Sequence, residues 1–166
     1  ATWWSPDPRG IIELNAFHVS RSLARTLRKG GFEVSFDRAF REVITACAKT
    51  RRPGGWITPE FIQAYTVLHE AGHAHSVECW RAGELVGGVY GVAVGGLFAG
   101  ESMFHRASDA SKVALFHLVG RLRERSFMLF DTQMVTPVTR QLGATEISRA
   151  KYLQRLAAVV TASAVF

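Results

Sequence analysis

The feature that most constrains the fold is a long apolar stretch, residues 85–99, that glycine interrupts repeatedly. The interrupting residues are Gly87, Gly88, Gly91, Gly95 and Gly96. A membrane-spanning helix needs about 20 apolar residues, so this stretch is too short and too rich in glycine to be one. The pattern instead predicts a strand over 85–94 that turns at Gly95 and Gly96 into a second strand over 97–101.

Capping and turn signals divide the rest of the chain into helices and strands. Ser20 and Gly30 bound a predicted first helix, Asp37 is the predicted cap of a second helix through 48, and Thr58-Pro59 begins a third. Further helices are predicted over 108–125, 137–142 and 148–156, strands over 32–36, 76–80 and 127–134, and a basic turn over 49–55. This order predicts an α+β (mixed α/β) fold with helices flanking a mixed sheet.

Composition limits the protein class. A chain of 166 residues with 48% apolar content has the size and the core of one compact domain. We find no signal peptide and expect no membrane association. Cys47 and Cys79 lack CxxC spacing, so we expect buried thiols in a reducing, cytoplasmic protein. The formal charge of +6 favours a polyanionic partner without establishing one.

The segment His69-Glu70-Ala71-Gly72-His73 matches the HExxH zinc motif. That motif requires both histidines on one face of a helix. We expect Gly72 to end the helix, which leaves His73 outside it and removes the required geometry. We therefore favour a structural junction between helix and strand and predict no metal site.

Three polar residues, Asp131, Thr132 and Gln133, interrupt the apolar strand predicted over 127–134, and the first and third of them are the informative pair. Alternation along a strand places both on one face. One interpretation is a satisfied hydrogen-bonded pair in the core. The other is a carboxylate and an amide that orient a nucleophile, with both side chains projecting into a cleft that also holds an amino acid's apolar group.

A cationic ridge follows one face of the predicted first helix. Its members are Arg21, Arg25, Arg28 and Lys29, which fall within about 100° on a helical wheel. Such a ridge is either a solvated face or a contact for nucleic acid phosphates. Glu101 follows the glycine-studded strand and is either solvated or an acid placed where a ligand approaches.

Several blocks resemble, in order, the signatures of bacterial leucyl/phenylalanyl-tRNA-protein transferases. These are Trp3-Trp4-Ser5-Pro6-Asp7-Pro8-Arg9, His18-Val19-Ser20-Arg21-Ser22, Trp56-Ile57-Thr58, HEAGHAHSVE at 69–78, LVGGVYG at 85–91, Gly100-Glu101-Ser102-Met103-Phe104 and Asp131-Thr132-Gln133. The resemblance extends to about Leu156 and implies a GNAT-like acyltransferase fold, with HEAGH binding no metal. We expect residues 1–166 to be one catalytic domain without the family's smaller N-terminal domain.

The resemblance also implies an activity. The enzyme would move Leu, Phe or Met from aminoacyl-tRNA to an acceptor protein that begins with Arg or Lys, marking it for degradation. The tRNA ester is already activated, so no cofactor is expected. Gln133, held by Asp131, would position the acceptor's amine, and Glu101 would lie near the substrate amino groups.

Further residues are assigned to substrate by the same resemblance. Phe98 and Leu115 match the lining of the apolar pocket. Val89, Leu118 and Phe130 match pocket positions but differ in size, which predicts an altered preference between Leu and Phe. Trp56, Ser102 and Met103 match other substrate-binding positions. The ridge Arg21, Arg25, Arg28 and Lys29 matches the family's tRNA-contacting cluster.

Two other functions remain open from the sequence. A GNAT enzyme using acetyl-CoA would share the fold, but we find no Q/R-x-x-G-x-G/A pyrophosphate loop between Glu101 and Ser111. A non-catalytic RNA-binding remnant would keep the cationic ridge and lack the chemistry.

Overall fold

A computed structural model describes residues 4–49 and 55–166. Trp3 of the first family block and residues 50–54 of the predicted basic turn lie outside the described residues. The strands are β1 Arg9–Ile12, β2 Glu33–Phe36, β3 Ala74–Arg81, β4 Glu84–Val94, β5 Leu97–His105, β6 Leu129–Gln133 and β7 Ala144–Ile147. The helices are α1 Arg21–Lys29, α2 Phe40–Lys49, α3 Pro59–Glu70, α4 Ala110–Glu124, α5 Pro137–Gln141 and α6 Arg149–Val159.

Hydrogen-bonded strands follow the order β2-β3-β4-β5-β6-β1-β7. The pairs β2–β3, β3–β4, β1–β6 and β1–β7 are antiparallel, and β5–β6 is parallel. The predicted mixed sheet with helices is therefore confirmed. No helix among the described residues is long and apolar enough to cross a membrane.

The chain divides into two compact units. The first comprises residues 1–20, 93–100 and 119–166, and the second comprises residues 21–92 and 101–118. Strand β5 thus contributes Leu97–Gly100 to the first unit and Glu101–His105 to the second.

The second unit is built on β2, β3 and β4, with α2 and α3 packed on β3. The core of this unit is an apolar cluster from α2, β4 and β5. It includes Phe40, Val43, Ile44, Cys47, Tyr90 and Phe104. Cys47 and Cys79 are both buried, as the sequence predicts.

The first unit contains β6, β1 and β7, with α6 packed on β6 and α5 on β7. Its core includes Ile11, Leu97, Leu129, Tyr152 and Val159. Strands β1 and β7 were not predicted, because each has only four residues and is defined by pairing with distant segments rather than by its own pattern.

Local capping signals set most helix boundaries as predicted. Thr58 accepts a hydrogen bond from the Phe61 amide, and Ser148 accepts one from the Lys151 amide. The prediction for Asp37 is wrong, because α2 begins at Phe40. The Asp37 carboxylate instead accepts a 2.9 Å hydrogen bond from the Ser76 amide and ties the turn after β2 to β3.

Gly87 allows the start of α4 to lie directly on β4. A Cβ added at Gly87 would lie 2.5 Å from the Ala110 Cβ and 2.9 Å from the Ala110 carbonyl carbon. These separations are too short for carbon atoms in van der Waals contact, which is optimal at about 3.5–4.0 Å. Gly87 is therefore required by close packing.

We predict that Gly87→Ala lowers the free energy of unfolding by about 1–3 kcal/mol, because the added methyl forces backbone to move. Gly120→Ala is the matched control, since no described atom outside its own helix turn lies within 4 Å of an added Cβ. In α4 that change should stabilise by about 0.5–1 kcal/mol. Urea unfolding measures both, and an unchanged midpoint for Gly87→Ala would contradict the close contact.

Candidate active site

Asp131 lies in the middle of the first unit's strands. It is opposite Ala99 in the parallel pair with β5 and opposite Ile11 in the antiparallel pair with β1. Its exposure is 0%. A buried carboxylate is costly unless hydrogen bonds and an opposite charge compensate it.

Four hydrogen-bond donors compensate the buried charge of Asp131. Arg9 binds it through two bonds, Nε to Oδ1 at 3.0 Å and Nη2 to Oδ2 at 2.6 Å. The Tyr152 hydroxyl donates to Oδ2 at 2.8 Å, and the Gln133 amide donates to Oδ1 at 2.7 Å. The carboxylate therefore joins β1, β6 and α6.

The charges around Asp131 fix the protonation of its neighbours. Burial raises the pKa of the Tyr152 phenol, and the negative charge of Asp131 raises it further. Burial works against the Arg9 guanidinium, but its bonds and attraction to Asp131 outweigh this and raise its pKa. Both groups therefore remain protonated donors, and the Arg9 guanidinium also lies 4.7 Å from the Tyr152 ring centroid.

Gln133 ends β6 in an unusual conformation. Its φ is +63°, a left-handed value that is uncommon for a residue other than glycine. The bond from its amide to Asp131 holds it there, and its side-chain Nε2 donates to the Gly100 carbonyl at 3.3 Å. Gln133 is half-buried, and its backbone is fixed by the bond to Asp131.

The prediction that Asp131 and Gln133 project side by side into a cleft is wrong for Asp131. Its carboxylate is sealed and faces Arg9 and Tyr152 rather than an opening. Regular alternation does not continue through Gln133, because its backbone is left-handed, its amide donates to the Asp131 side chain, and the pairing of β6 with β1 shifts register at this point. The role of Arg9 was missed, although it lies in the first family block, and so was that of Tyr152.

Glu101 belongs to the second unit and is half-buried on β5. Its carboxylate accepts a hydrogen bond from the Tyr65 hydroxyl. Burial raises the pKa of Tyr65, and the charge of Glu101 raises it further, so the phenol stays protonated. Sequence patterns did not identify Tyr65 as a partner for Glu101.

An aromatic row extends from Trp56 through the second unit. The Trp56 ring meets Phe61 edge-on at 4.9 Å, Phe61 stacks on Tyr65 at 4.1 Å, and Tyr65 meets Tyr90 edge-on at 5.9 Å. Trp56 is 41% exposed at the end of this row. An exposed aromatic face supported by other rings is suited to stacking on a planar group.

The predicted pocket residues are mostly core residues. In the first unit, Phe98 and Phe130 are both 1% exposed, with ring centroids 5.9 Å apart. Val89, Leu115 and Leu118 are buried in the second unit, where Ser102 and Met103 are half-buried. Their assignment to an amino acid pocket stays a prediction.

The cationic ridge is present on α1. Arg21, Arg25, Arg28 and Lys29 are exposed. Leu23, on the opposite side, is buried, as the helical wheel predicts. The Thr26 hydroxyl donates to Asp109 at 3.0 Å and anchors the helix to the loop that precedes α4.

The HExxH segment has the predicted junction geometry. Helix α3 ends at Glu70, Gly72 has a φ of +79°, and His73 lies beyond the helix. His69 Nδ1 lies 2.8 Å from the Ala74 carbonyl oxygen, to which it is hydrogen-bonded. Across residues 4–49 and 55–166, no group of three or more His, Cys, Asp or Glu side chains is placed to hold a metal ion.

Similarity to solved structures establishes the fold. A GCN5-related N-acetyltransferase from Kribbella flavida matches with a TM-score of 0.54 and 12% identity, over 86% of this chain and 55% of that one. L-PGS from Bacillus licheniformis matches with a TM-score of 0.55 and 14% identity, over 80% of this chain and 48% of that one. The predicted GNAT-like fold is confirmed.

Sequence similarity establishes the family. The family model described as leucyl/phenylalanyl-tRNA protein transferase matches residues 11–157. The protein of that name from Ruegeria pomeroyi is 53% identical over 99% of this chain and 77% of its own length. The one from Herpetosiphon aurantiacus is 55% identical over 99% of this chain and 85% of its own. The chain belongs to the leucyl/phenylalanyl-tRNA protein transferase family.

Proposed function

We propose that this chain transfers leucine, phenylalanine or methionine from aminoacyl-tRNA to the N-terminal Arg or Lys of an acceptor protein, which marks that protein for degradation. The observation that carries this proposal is the family match over residues 11–157. It disfavours the acetyl-CoA enzyme, which shares only the fold, and the non-catalytic remnant. The buried thiols and the tRNA substrate support a cytoplasmic location.

The reaction is aminolysis of an ester. The neutral α-amine of the acceptor attacks the ester carbonyl carbon, a C–N bond forms, the C–O bond to the terminal ribose breaks, and the ribose oxygen leaves with the proton that the amine loses. The unperturbed pKa of an α-amine is about 7.7–8.0, so a substantial neutral fraction is present near neutral pH. The chemistry therefore needs positioning more than a strong base.

Gln133 is the residue we assign to the amine. A carboxamide is too weak a base to remove a proton, but its Oε1 can accept a hydrogen bond from the attacking amine while Nε2 donates to Gly100. No described residue donates to this Oε1. Asp131 acts as a positioning residue, because it holds the Gln133 backbone in the left-handed conformation.

Two charged features are assigned to the substrates. Glu101 supplies a negative charge for the cationic acceptor terminus, held in place by Tyr65. The ridge on α1 supplies exposed cations for tRNA phosphates. Phe98 and Phe130 in the first unit, and Val89, Leu115 and Leu118 in the second, are assigned to the apolar side chain of the amino acid. Trp56, Ser102 and Met103 are assigned to the remainder of the substrate.

We predict that Asp131→Ala lowers kcat for transfer of labelled Phe from Phe-tRNA to an Arg-initiated peptide by at least about tenfold, equal to roughly 1.4 kcal/mol of barrier. It should also destabilise the protein by about 3–5 kcal/mol, because Arg9 is left without its buried partner, so rates are measured below the melting transition.

Tyr152→Phe is the matched control for Asp131→Ala. It removes one of the four donors at a cost of about 1–3 kcal/mol in stability, but it leaves the bond to Gln133 and should retain most of the rate. Equal rates for folded Asp131→Ala and the parent would remove Asp131 from the site.

We predict that Glu101→Gln narrows the preference for a peptide beginning with Arg over one beginning with citrulline, its uncharged analogue. The kcat/KM ratio for the two peptides should fall by about tenfold, or 1.4 kcal/mol, because the attraction for the guanidinium is lost. The affinity for tRNA should not change. An unaltered peptide ratio would exclude Glu101 from acceptor recognition.

We predict that Arg25→Ala weakens tRNA binding and reduces the slope of log K against log salt by about 0.7–0.9, the value of one phosphate contact. Arg140→Ala, which removes an equally exposed arginine from α5, is the control and should leave the slope unchanged. If both variants have the parent's slope, the ridge has only a solvated role.

A further inference from the structure

A second cationic surface lies on the second unit, apart from α1. It is a surface cavity of about 400 Å³. Its lining includes three cations, Arg41, Lys49 and Arg106, together with Glu42, Thr45 and Leu85. The family resemblance assigns none of these residues.

Helix α2 supplies one wall of the cavity. Arg41, Thr45 and Lys49 are four residues apart and therefore lie in one column on the helix surface. At 1.5 Å per residue, the backbone positions of the two cations are about 12 Å apart along the axis. The Thr45 hydroxyl lies between the two positive charges, so this column of the helix surface is polar along its whole length.

Arg106 is held in place on the opposite wall. Its Nη1 donates to the Leu85 carbonyl at 3.1 Å, and its guanidinium lies 5.5 Å from the Phe104 ring centroid. Arg41 donates from Nη1 to the Gln63 amide oxygen at 3.3 Å. Both partners are neutral, so they orient the guanidinium groups without cancelling their charge.

The cavity has a net positive charge. Glu42 is the one carboxylate among the lining residues, against three cations. Within the described part of the chain, no carboxylate forms an ion pair with Arg41, Lys49 or Arg106. Guanidinium groups oriented in this way match the geometry of phosphate oxygens.

The loop between β5 and α4 connects this cavity with the ridge on α1. Arg106 lines the cavity, and Asp109, three residues later, accepts the hydrogen bond from Thr26 of α1. Three residues span at most about 11 Å. Lys112 lies 3.3 Å from the Asp109 carboxylate and offsets its negative charge.

We propose that this cavity binds backbone phosphates of the tRNA as a second RNA contact beside the ridge on α1. The inference rests on the proposed function. RNA is favoured over an acidic protein segment because the cavity adjoins the loop that anchors the ridge, so that one continuous polyanion can contact both sets of cations.

The test is the double variant Arg41→Gln/Lys49→Gln, with binding of uncharged tRNA measured over a series of salt concentrations. Loss of two phosphate contacts should reduce the salt slope by about 1.4–1.8 and weaken binding by at least about tenfold at low salt. Arg125→Gln/Arg140→Gln removes the same charge from two exposed positions outside the cavity and should leave the slope near that of the parent. The charge-preserving Arg41→Lys/Lys49→Arg should keep the parent's salt slope, because the number of cations is unchanged, which separates loss of charge from loss of fold.

A minimal donor distinguishes this proposal from the proposed function. Transfer from 3′-O-phenylalanyl-adenosine, which has no phosphodiester, should be equal in the parent and the double variant. If the parent transfers from Phe-tRNA but the double variant keeps its salt slope, only the cavity proposal is overturned. A parent that transfers from neither donor overturns the proposed function instead. If the double variant loses affinity for an acidic peptide but not for tRNA, a protein ligand replaces RNA.

Discussion

The packing of the first unit depends on a carboxylate without solvent contact. Asp131 is stable in that position only because Arg9, Tyr152 and the Gln133 amide donate to it from β1, α6 and β6. Removing any of these donors leaves a buried charge undercompensated. The same four bonds that balance the charge therefore fix three elements relative to one another, so electrostatics and tertiary structure are coupled at this residue.

Gln133 illustrates how such a buried group fixes the backbone of a neighbouring residue. A left-handed backbone at a residue other than glycine costs about 1–3 kcal/mol and persists only where its surroundings enforce it. The 2.7 Å bond from the Gln133 backbone amide to Asp131 holds the backbone in this conformation. The bond from its side-chain Nε2 to the Gly100 carbonyl orients the side chain. In the role proposed for Gln133, a side chain that is already held in place would lose less entropy when substrate binds.

Local signals predicted much of the fold. Thr58 with Pro59, Ser148, and the glycines around 95 located element boundaries because capping and turn formation involve neighbouring residues. The four-residue strands β1 and β7 could not be predicted in this way, since their hydrogen bonds join residues more than a hundred positions apart.

The difference between local and long-range contacts also explains which parts of the candidate site could be predicted. Alternation identified Asp131 and Gln133 as unusual, yet Arg9 lies 122 positions from Asp131 and Tyr152 lies 21 positions away. No local pattern reports such pairings, and none indicates that Gln133 adopts a positive φ. The sequence identified both polar residues, but it did not indicate that Asp131 is fully buried and that Gln133 is only half-buried.

The position of Arg9 has a practical consequence for choosing the first residue of a fragment of this protein. Strand β1 has only four residues, so a fragment boundary placed within it removes few contacts of the sheet. A fragment beginning at Gly10 would keep most of that strand but lose the guanidinium opposite Asp131. Such a fragment would resemble the parent in length and composition while retaining an interior anion with no counterion.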